Sequence, residues 1–296
     1  AANSTTLNFS TASADYRVGG LALVWDDDLV YEAVEVTEVS AGNLKIKRPL
    51  TGSYQSAMVA PMRLGYTASG VSFSRTGSDL TNSTVRFEIV DNVKLSLTSP
   101  PTTYKGYYAL TDYTMVVGSM DEQVSRELDV LDNTSGVIHV DTLSNIPVRR
   151  AFTTSVAKTK ADRWKAKTWY HYLNGKQKAF WLPTWNKDLE LVEPILSSSQ
   201  TMVVRYTGFA KYMGTADILV KLKSGTAYLN RVLSGELAPG NRENLILESA
   251  FPVNILLEDV QTICYLNLMR LDSDTIELSY SNGVMETNVT TVGVVE

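Results

Sequence analysis

Sulfur, imidazole and long apolar runs are scarce in this 296-residue chain, and each scarcity excludes something. A single cysteine, Cys264, leaves nothing to pair with in an intramolecular disulfide. Its setting, DVQTICYLNLMRL, marks it as a small buried hydrophobe rather than a nucleophile. Two histidines, His139 and His171, stand apart from each other and from Cys264, and neither sits in an HxxxH spacing. A zinc centre needs several nitrogen or sulfur ligands, so no metal site is expected. No Gly-x-Ser-x-Gly elbow occurs, and no glycine-rich phosphate loop, so serine hydrolysis and nucleotide chemistry lack their signatures and no cofactor is expected. No apolar run approaches the roughly 18 residues that span a bilayer. The opening AANSTTLNFS has neither a basic nor an apolar region, so no signal peptide is expected. Such a chain suits a reducing cytoplasm. A formal charge of −5 argues against nucleic-acid binding, which needs clustered Lys and Arg.

What is abundant is period-two alternation. YEAVEVTEVS sets Ala33, Val34, Val36 and Val39 among glutamates, and a short AGN loop leads into LKIKRPL, which together read as a hairpin. TVRFEIVDN alternates again, and RELDVLDNTSGVIHV reads as two short strands around residues 133–136. TMVVRYTG, ADILVKLKSGTAYLNRVLSG, ENLILES and DTIELSYSNGVMETNVTTVGVVE continue the pattern, with Asn282-Gly283 a favoured hairpin turn. The fold class expected is mainly β, with antiparallel β-sandwich or barrel domains carrying one short helix at about residues 160–173. In that helix, TKADRWKAKTWYHYLNGK, Thr159 or Asp162 is the cap, Trp164, Trp169 and Leu173 share a stripe with Tyr172, and Gly175 takes the left-handed position after the end. MDEQVSREL is a weaker second helix candidate. Breaks at Pro100-Pro101, near residues 145–147 and near Gly65-Tyr66 divide the chain into 1–98, an N-terminal β region with a polar arm; 99–147, a connecting β segment; and 148–296, a β domain carrying the helix.

The residues that could carry chemistry are few. Asp26, Asp27 and Asp28 in WDDDL form either a calcium cluster or, as we prefer, a solvated turn, since consecutive strand residues point to opposite faces. Asp188, Glu190 and Glu193 could serve as a glycosidase pair if two of them faced each other across a cleft. Four of the five tryptophans fall within residues 164–185, so Trp164, Trp169, Phe180, Trp181 and Trp185 are the candidate site. They form either an aromatic clasp between helix and sheet or an exposed ligand surface for sugar rings.

The order of strand VRRAFTTSV, helix DRWKAKTWYHYLNGK and segment KAFWLPTW, followed by an acidic strand, resembles structural proteins of the tail tip or baseplate of tailed bacteriophages, in particular the distal-tail-protein-like group. The hairpin, RPL turn and Pro61-Met62-Arg63 step of YEAVEVTEVSAGNLKIKRPLTGSYQSAMVAPMRLGY are similar to that pattern, as are SRTGSDLTNSTVRFEIVDN and the closing RLDSDTIELSY and TTVGVVE. The resemblance implies a structural virion component without catalytic residues, made in the host cytoplasm and placed in the virion tail. Its partners would be the tube, hub and fibre proteins, and its own copies in a homo-oligomeric ring. On this reading SPPTTYKGYY is an intersubunit arm, and the polar start AANSTTLNFSTASADYRVGG orders only in the assembly. The alternative is a carbohydrate- or receptor-binding β-sandwich at the tail tip that holds a host-surface glycan. A polysaccharide-degrading enzyme is the third reading, and the expectation is that the chain is not an enzyme.

Overall fold

Alternating segments bury one side chain in two, and most of those found in the sequence fold as strands in the computed structural model, which describes residues 2–8, 16–26, 30–40, 42–54, 56–75, 77–78, 81–90, 102–112, 120–126, 128–132, 134, 136, 138–142, 147–281 and 283–294. The protein is mainly β, 52% strand and 10% helix, built of antiparallel sheets, one of them curled as a half-barrel. It divides into two units, Ala1–Lys94 and Leu95–Glu296.

The first unit contains β1 (Thr6–Asn8), β2 (Leu21–Trp25), β3 (Tyr31–Ser40), β4 (Asn43–Ile46) and β5 (Met58–Pro61), in a sheet of order β1-β4-β3-β2-β5. The β3–β4 hairpin is the one expected from the sequence, with a register shift between Val36 and Glu38. Ala22, Val24, Val34, Val36, Leu44 and Ile46 form the core, and Tyr16 closes it by donating its hydroxyl to the Val59 carbonyl at 2.8 Å. The polar start therefore differs from the expectation of an arm that orders only on assembly: β1 pairs with β4 and Leu7 and Tyr16 are buried in this unit. Beyond β5 the chain leaves the sheet as a ribbon of β6 (Gly65–Thr67), β7 (Ser72–Arg75), β8 (Thr81–Thr84) and β9 (Phe87–Ile89), with β6 on β9 and β7 on β8. The continuous strand expected over TVRFEIVDN is instead broken between β8 and β9, and its end, Asp91-Asn92, lies outside the described residues.

The second unit contains β10 (Thr103–Tyr104), β11 (Tyr107–Ala109), β12 (Met120–Ser125), β13 (Leu128–Leu131), β14 (His139–Thr142), β15 (Val148–Ala157), α1 (Lys160–Leu173), β16 (Ala179–Pro183) and β17 (Thr201–Arg205). It continues with α2 (Phe209–Tyr212), β18 (Ala216–Leu222), β19 (Ala227–Ala238), β20 (Arg242–Leu247), β21 (Val260–Leu271), β22 (Ser279–Ser281) and β23 (Val284–Gly293). Twelve of these strands form one sheet, with β10-β11-β16-β21-β18-β19-β20-β17 as its main path and β12, β15, β22 and β23 branching from it. β21 is the spine: it pairs with β16, β18 and β23, and Ile263, Cys264 and Met269 each enter a different core cluster.

Three expectations change here. The segment 99–147 is not a separate connector, because β11 pairs in parallel with β16 and β12 pairs with β15. For the same reason the described part of SPPTTYKGYY, read as an intersubunit arm, is a hairpin paired within its own sheet, with Tyr108 buried. MDEQVS, offered as a helix, is β12: cross-strand pairing over six residues of β15 overrides a modest helical propensity. The two strands of RELDVLDNTSGVIHV do form, as the hairpin β13–β14. α1 spans the expected residues and starts with a capping box: the Thr159 hydroxyl accepts the Asp162 N–H at 3.1 Å, and the Asp162 carboxylate accepts the Thr159 N–H at 3.4 Å. Asn174 and Gly175 both take left-handed backbone at its end. A Cβ on Gly175 would collide with the Asp274 carboxylate, so this position admits glycine on two counts.

Candidate functional site

β16 is five residues long, and its aromatic neighbours Phe180 and Trp181 project to opposite faces of the sheet, as successive strand residues must. Phe180 joins Trp169, Tyr108 and Leu173 on the helix side, while Trp181 joins Ala109, Leu219 and Cys264 on the other. Trp169 reaches Phe180 edge-on at 5.0 Å between ring centroids and lies 4.2 Å from the Tyr108 ring. Burial of Tyr108, with the nearby charge of Asp112, pushes its phenol up to about 12. Trp181, 3% exposed, donates its indole N–H to the Tyr104 carbonyl at 2.9 Å and meets the Tyr104 ring edge-on at 5.5 Å. The Tyr104 hydroxyl and the Lys105 ammonium both reach the buried carboxylate of Asp217, at 2.6 and 2.8 Å. The β10–β11 hairpin is thereby tied to β16 and β18 at once.

Trp185 takes φ 57, a left-handed conformation rare for a bulky side chain, and its half-buried ring packs against the clusters on both faces. Trp164 stands off the stripe expected for it. Five residues separate it from Trp169, about 140° around a helix. The buried positions of α1 are Ala166, Thr168, Trp169 and Leu173, and Trp164 is half-buried. Trp169, Phe180 and Trp181 are thus interior side chains of a two-faced seam. They present no common flat face for a sugar ring.

The candidate carboxylates are each paired off, one in a turn and two with arginines. Asp188 accepts the Thr184 hydroxyl and the Tyr265 N–H, the latter at 2.9 Å, which closes the turn after β16. Glu190 pairs with Arg205 at 2.9 Å and Glu193 with Arg242 at 2.7 Å, so the three candidate acids each face a donor of their own. The Asp26 N–H donates to the Val30 carbonyl at 3.3 Å, and Asp27 and Asp28 lie outside the described residues. Cys264 is fully buried on β21, and burial pushes its thiol up to about 12. His139 is exposed on β14. His171, exposed on the last turn of α1, lines a groove of about 450 Å³ with Lys167, Tyr170, Asn174 and Asp274. Among the described residues no three of His, Cys, Asp and Glu come together as a metal site, and no helix is long and apolar enough to cross a membrane.

Two buried glutamates escaped the sequence reading. Glu32 accepts from Arg48 (3.0 Å), the Thr51 N–H and hydroxyl (3.0 Å each) and the Tyr54 hydroxyl (3.2 Å), which shapes the RPLTGSY turn. Glu243 accepts the N–H groups of Thr207, Phe209 and Ala210 and the Thr207 hydroxyl, at 3.0–3.3 Å, and so supplies from β20 the cap that Gly208, at the start of α2, cannot. Burial pushes both carboxyls up, but these hydrogen bonds outweigh it and hold both below the ordinary glutamate value of 4.5. The signal was parity: Glu32 is in phase with Val34 and Val36, and Glu243 with Leu245 and Leu247.

The chain matches no family model, and comparison with the curated proteins finds no match.

Proposed function

We propose that this chain is a structural component of a phage tail tip or baseplate, one that forms a ring and links tail tube, hub and fibres. The observation that carries the reading is the contrast between candidate acids that are each paired off and two ribbons that leave apolar side chains exposed. The acids that might have done chemistry hold turns and arginines. The ribbons β6–β9 and β13–β14 leave Phe73, Phe87, Leu128, Val130 and Val140 exposed. A two-stranded ribbon is marginal alone in water and gains its cover from a neighbour. The sequence resemblance supplies the class of neighbour: tail proteins, and other copies of this chain. On this reading the protein catalyses no reaction, and it resides in the virion tail after synthesis in the host cytoplasm.

The test is labelling of purified particles with an antibody raised against the full chain, viewed by electron microscopy. Label at the tip end of the tail is expected. Purified virions lacking the chain would overturn the reading.

A further inference from the structure

Basic charge is spread unevenly along this acidic chain. Residues 158–178 hold seven of its 27 lysines and arginines against one of its 32 acids, Asp162. At 3.6 residues per turn, Lys160, Arg163, Lys167 and His171 fall within about 80° on one flank of α1, a stripe about 16 Å long. Asp162 lies on the other side of the helix and is held in the capping box. Lys165, off the stripe, finds an acid, Asp112 at 3.5 Å. On the stripe, Arg163 donates to the Thr159 carbonyl at 3.3 Å, and the Lys167 ammonium lies 5.7 Å from the centre of the Tyr280 ring. No carboxylate among the described residues forms an ion pair with any of the four. Like charges three and four residues apart destabilise a helix, so the stripe costs α1 stability that no described acid offsets.

The stripe runs into the groove of about 450 Å³ beside α1. The helix contributes Lys167, His171 and Asn174 to it, and the segment before β22 contributes Ile276 and Leu278. Asp274 also lines the groove, but its carboxylate already accepts the Lys176 N–H at 2.8 Å.

We propose that this stripe and groove take a short acidic segment of a partner protein, its carboxylates on Lys160, Arg163, Lys167 and His171 and an apolar side chain in the groove against Ile276 and Leu278. The steps from Arg163 to Lys167 and from Lys167 to His171 are about 6 Å each, the spacing of carboxylates at i and i+4 of a helix. Length selects against a long polyanion. With the three stripe cations set aside, the remaining 24 of the 27 lysines and arginines face 32 acids, so a nucleic acid that outruns the stripe meets net repulsion. An anionic bilayer takes up a basic helix that also exposes large apolar side chains. α1 exposes none: Trp164 is half-buried, and Trp169 and Leu173 are buried.

The test is fluorescence anisotropy of a labelled helical peptide about 16 residues long, with Glu at every fourth position and Leu beside it, titrated with the full-length chain. Binding is expected, and it should weaken as salt is raised. The full-length variant Lys160→Glu/Arg163→Glu/Lys167→Glu should lose at least about tenfold in affinity, whereas Lys187→Glu, an exposed lysine outside α1, should change it by less than about twofold. The same peptide with Lys in place of Glu should bind the triple variant and not the natural chain, which also shows that the variant is folded. No binding of the glutamate peptide at about 1 mM chain overturns the proposal, as does equal binding to the triple variant. Equal binding of a scrambled peptide of the same composition overturns it too, because charge alone would then suffice. Tighter binding of a DNA duplex of about 20 base pairs overturns it in favour of a nucleic acid. Tighter binding of vesicles with about 30% phosphatidylglycerol overturns it in favour of a membrane surface. Loss of the virion label would leave this contact standing, and failure of the peptide to bind would leave the proposed function standing.

Discussion

The seam around β16 and the two ribbons are both strands carrying large apolar side chains, yet they obey opposite rules. At β16 both faces are covered: Phe180 has Trp169 and Trp181 has Cys264 and Leu219, and the Trp181 N–H donates to the Tyr104 carbonyl. On β7 and β13 neither face is covered, and Phe73 and Val130 stand in solvent. The difference lies in what packs over each face. Trp169 of α1 covers Phe180, and Tyr104 of β10 covers Trp181, whereas β7 and β13 are exposed along their whole length. A strand pair with nothing packed on its faces offers its apolar side chains outward. Stability should therefore depend on the seam, and association on the ribbons.

That contrast can be broken by substitution. The largest effect is expected for Trp181→Ala, which removes a buried ring and its bond to Tyr104 and should cost about 3–5 kcal/mol in urea unfolding of the second unit. A loss under about 1 kcal/mol would mean that the seam is not the structural element described. Next is Glu243→Ala, which strands three N–H groups at the start of α2 and should cost about 3 kcal/mol, in the same measurement. Glu32→Ala should cost somewhat less, because Arg48 is half-exposed and water can replace its partner.

Acid sharpens the comparison further. Both glutamates ionise more readily in the folded chain than in the unfolded one, so the unfolded chain binds the proton more tightly. The stability they confer is complete above the ordinary value of 4.5 and drains away as pH falls below it toward their folded values. Thermal melts at a series of pH values from neutral down should show this decline, and Glu243→Gln should flatten it for the second unit. A slope unchanged in that variant would contradict the role given to Glu243.

Gly175→Ala comes next, at about 1–2 kcal/mol, since it forces a side chain into left-handed backbone and against Asp274. The smallest effect on unfolding belongs to the ribbons. Phe73→Ser should move the midpoint by no more than about 0.5 kcal/mol while reducing self-association in sedimentation. A large loss of stability would place Phe73 in a core.

Much of this was legible from pattern. Strand alternation located most of the strands, and of the two cap candidates Thr159 is the N-cap of α1 and Asp162 its capping-box partner, with Gly175 in left-handed backbone past the end. The aromatic cluster is legible as a clasp or a ligand surface, but its division between two faces is not: strand geometry sends Phe180 and Trp181 to opposite sides of the sheet. The parallel pairing of β11 with β16 joins residues some 70 apart and leaves no local trace. β12 was obscured because its residues tolerate a helix, and only its partner β15 decides. Glu32 and Glu243 carry only a weak local signal, their phase with buried aliphatic neighbours, which marks them as inward-facing.

On the proposed function the ribbons are the working surfaces of an assembling scaffold. The most direct measurement is a density map of this chain within an intact tail, by electron cryo-microscopy. A ring of copies around an axial channel is expected, with Phe73 and Val130 covered by neighbouring protein. A single copy, or a ring in which both ribbons remain in solvent, would contradict it.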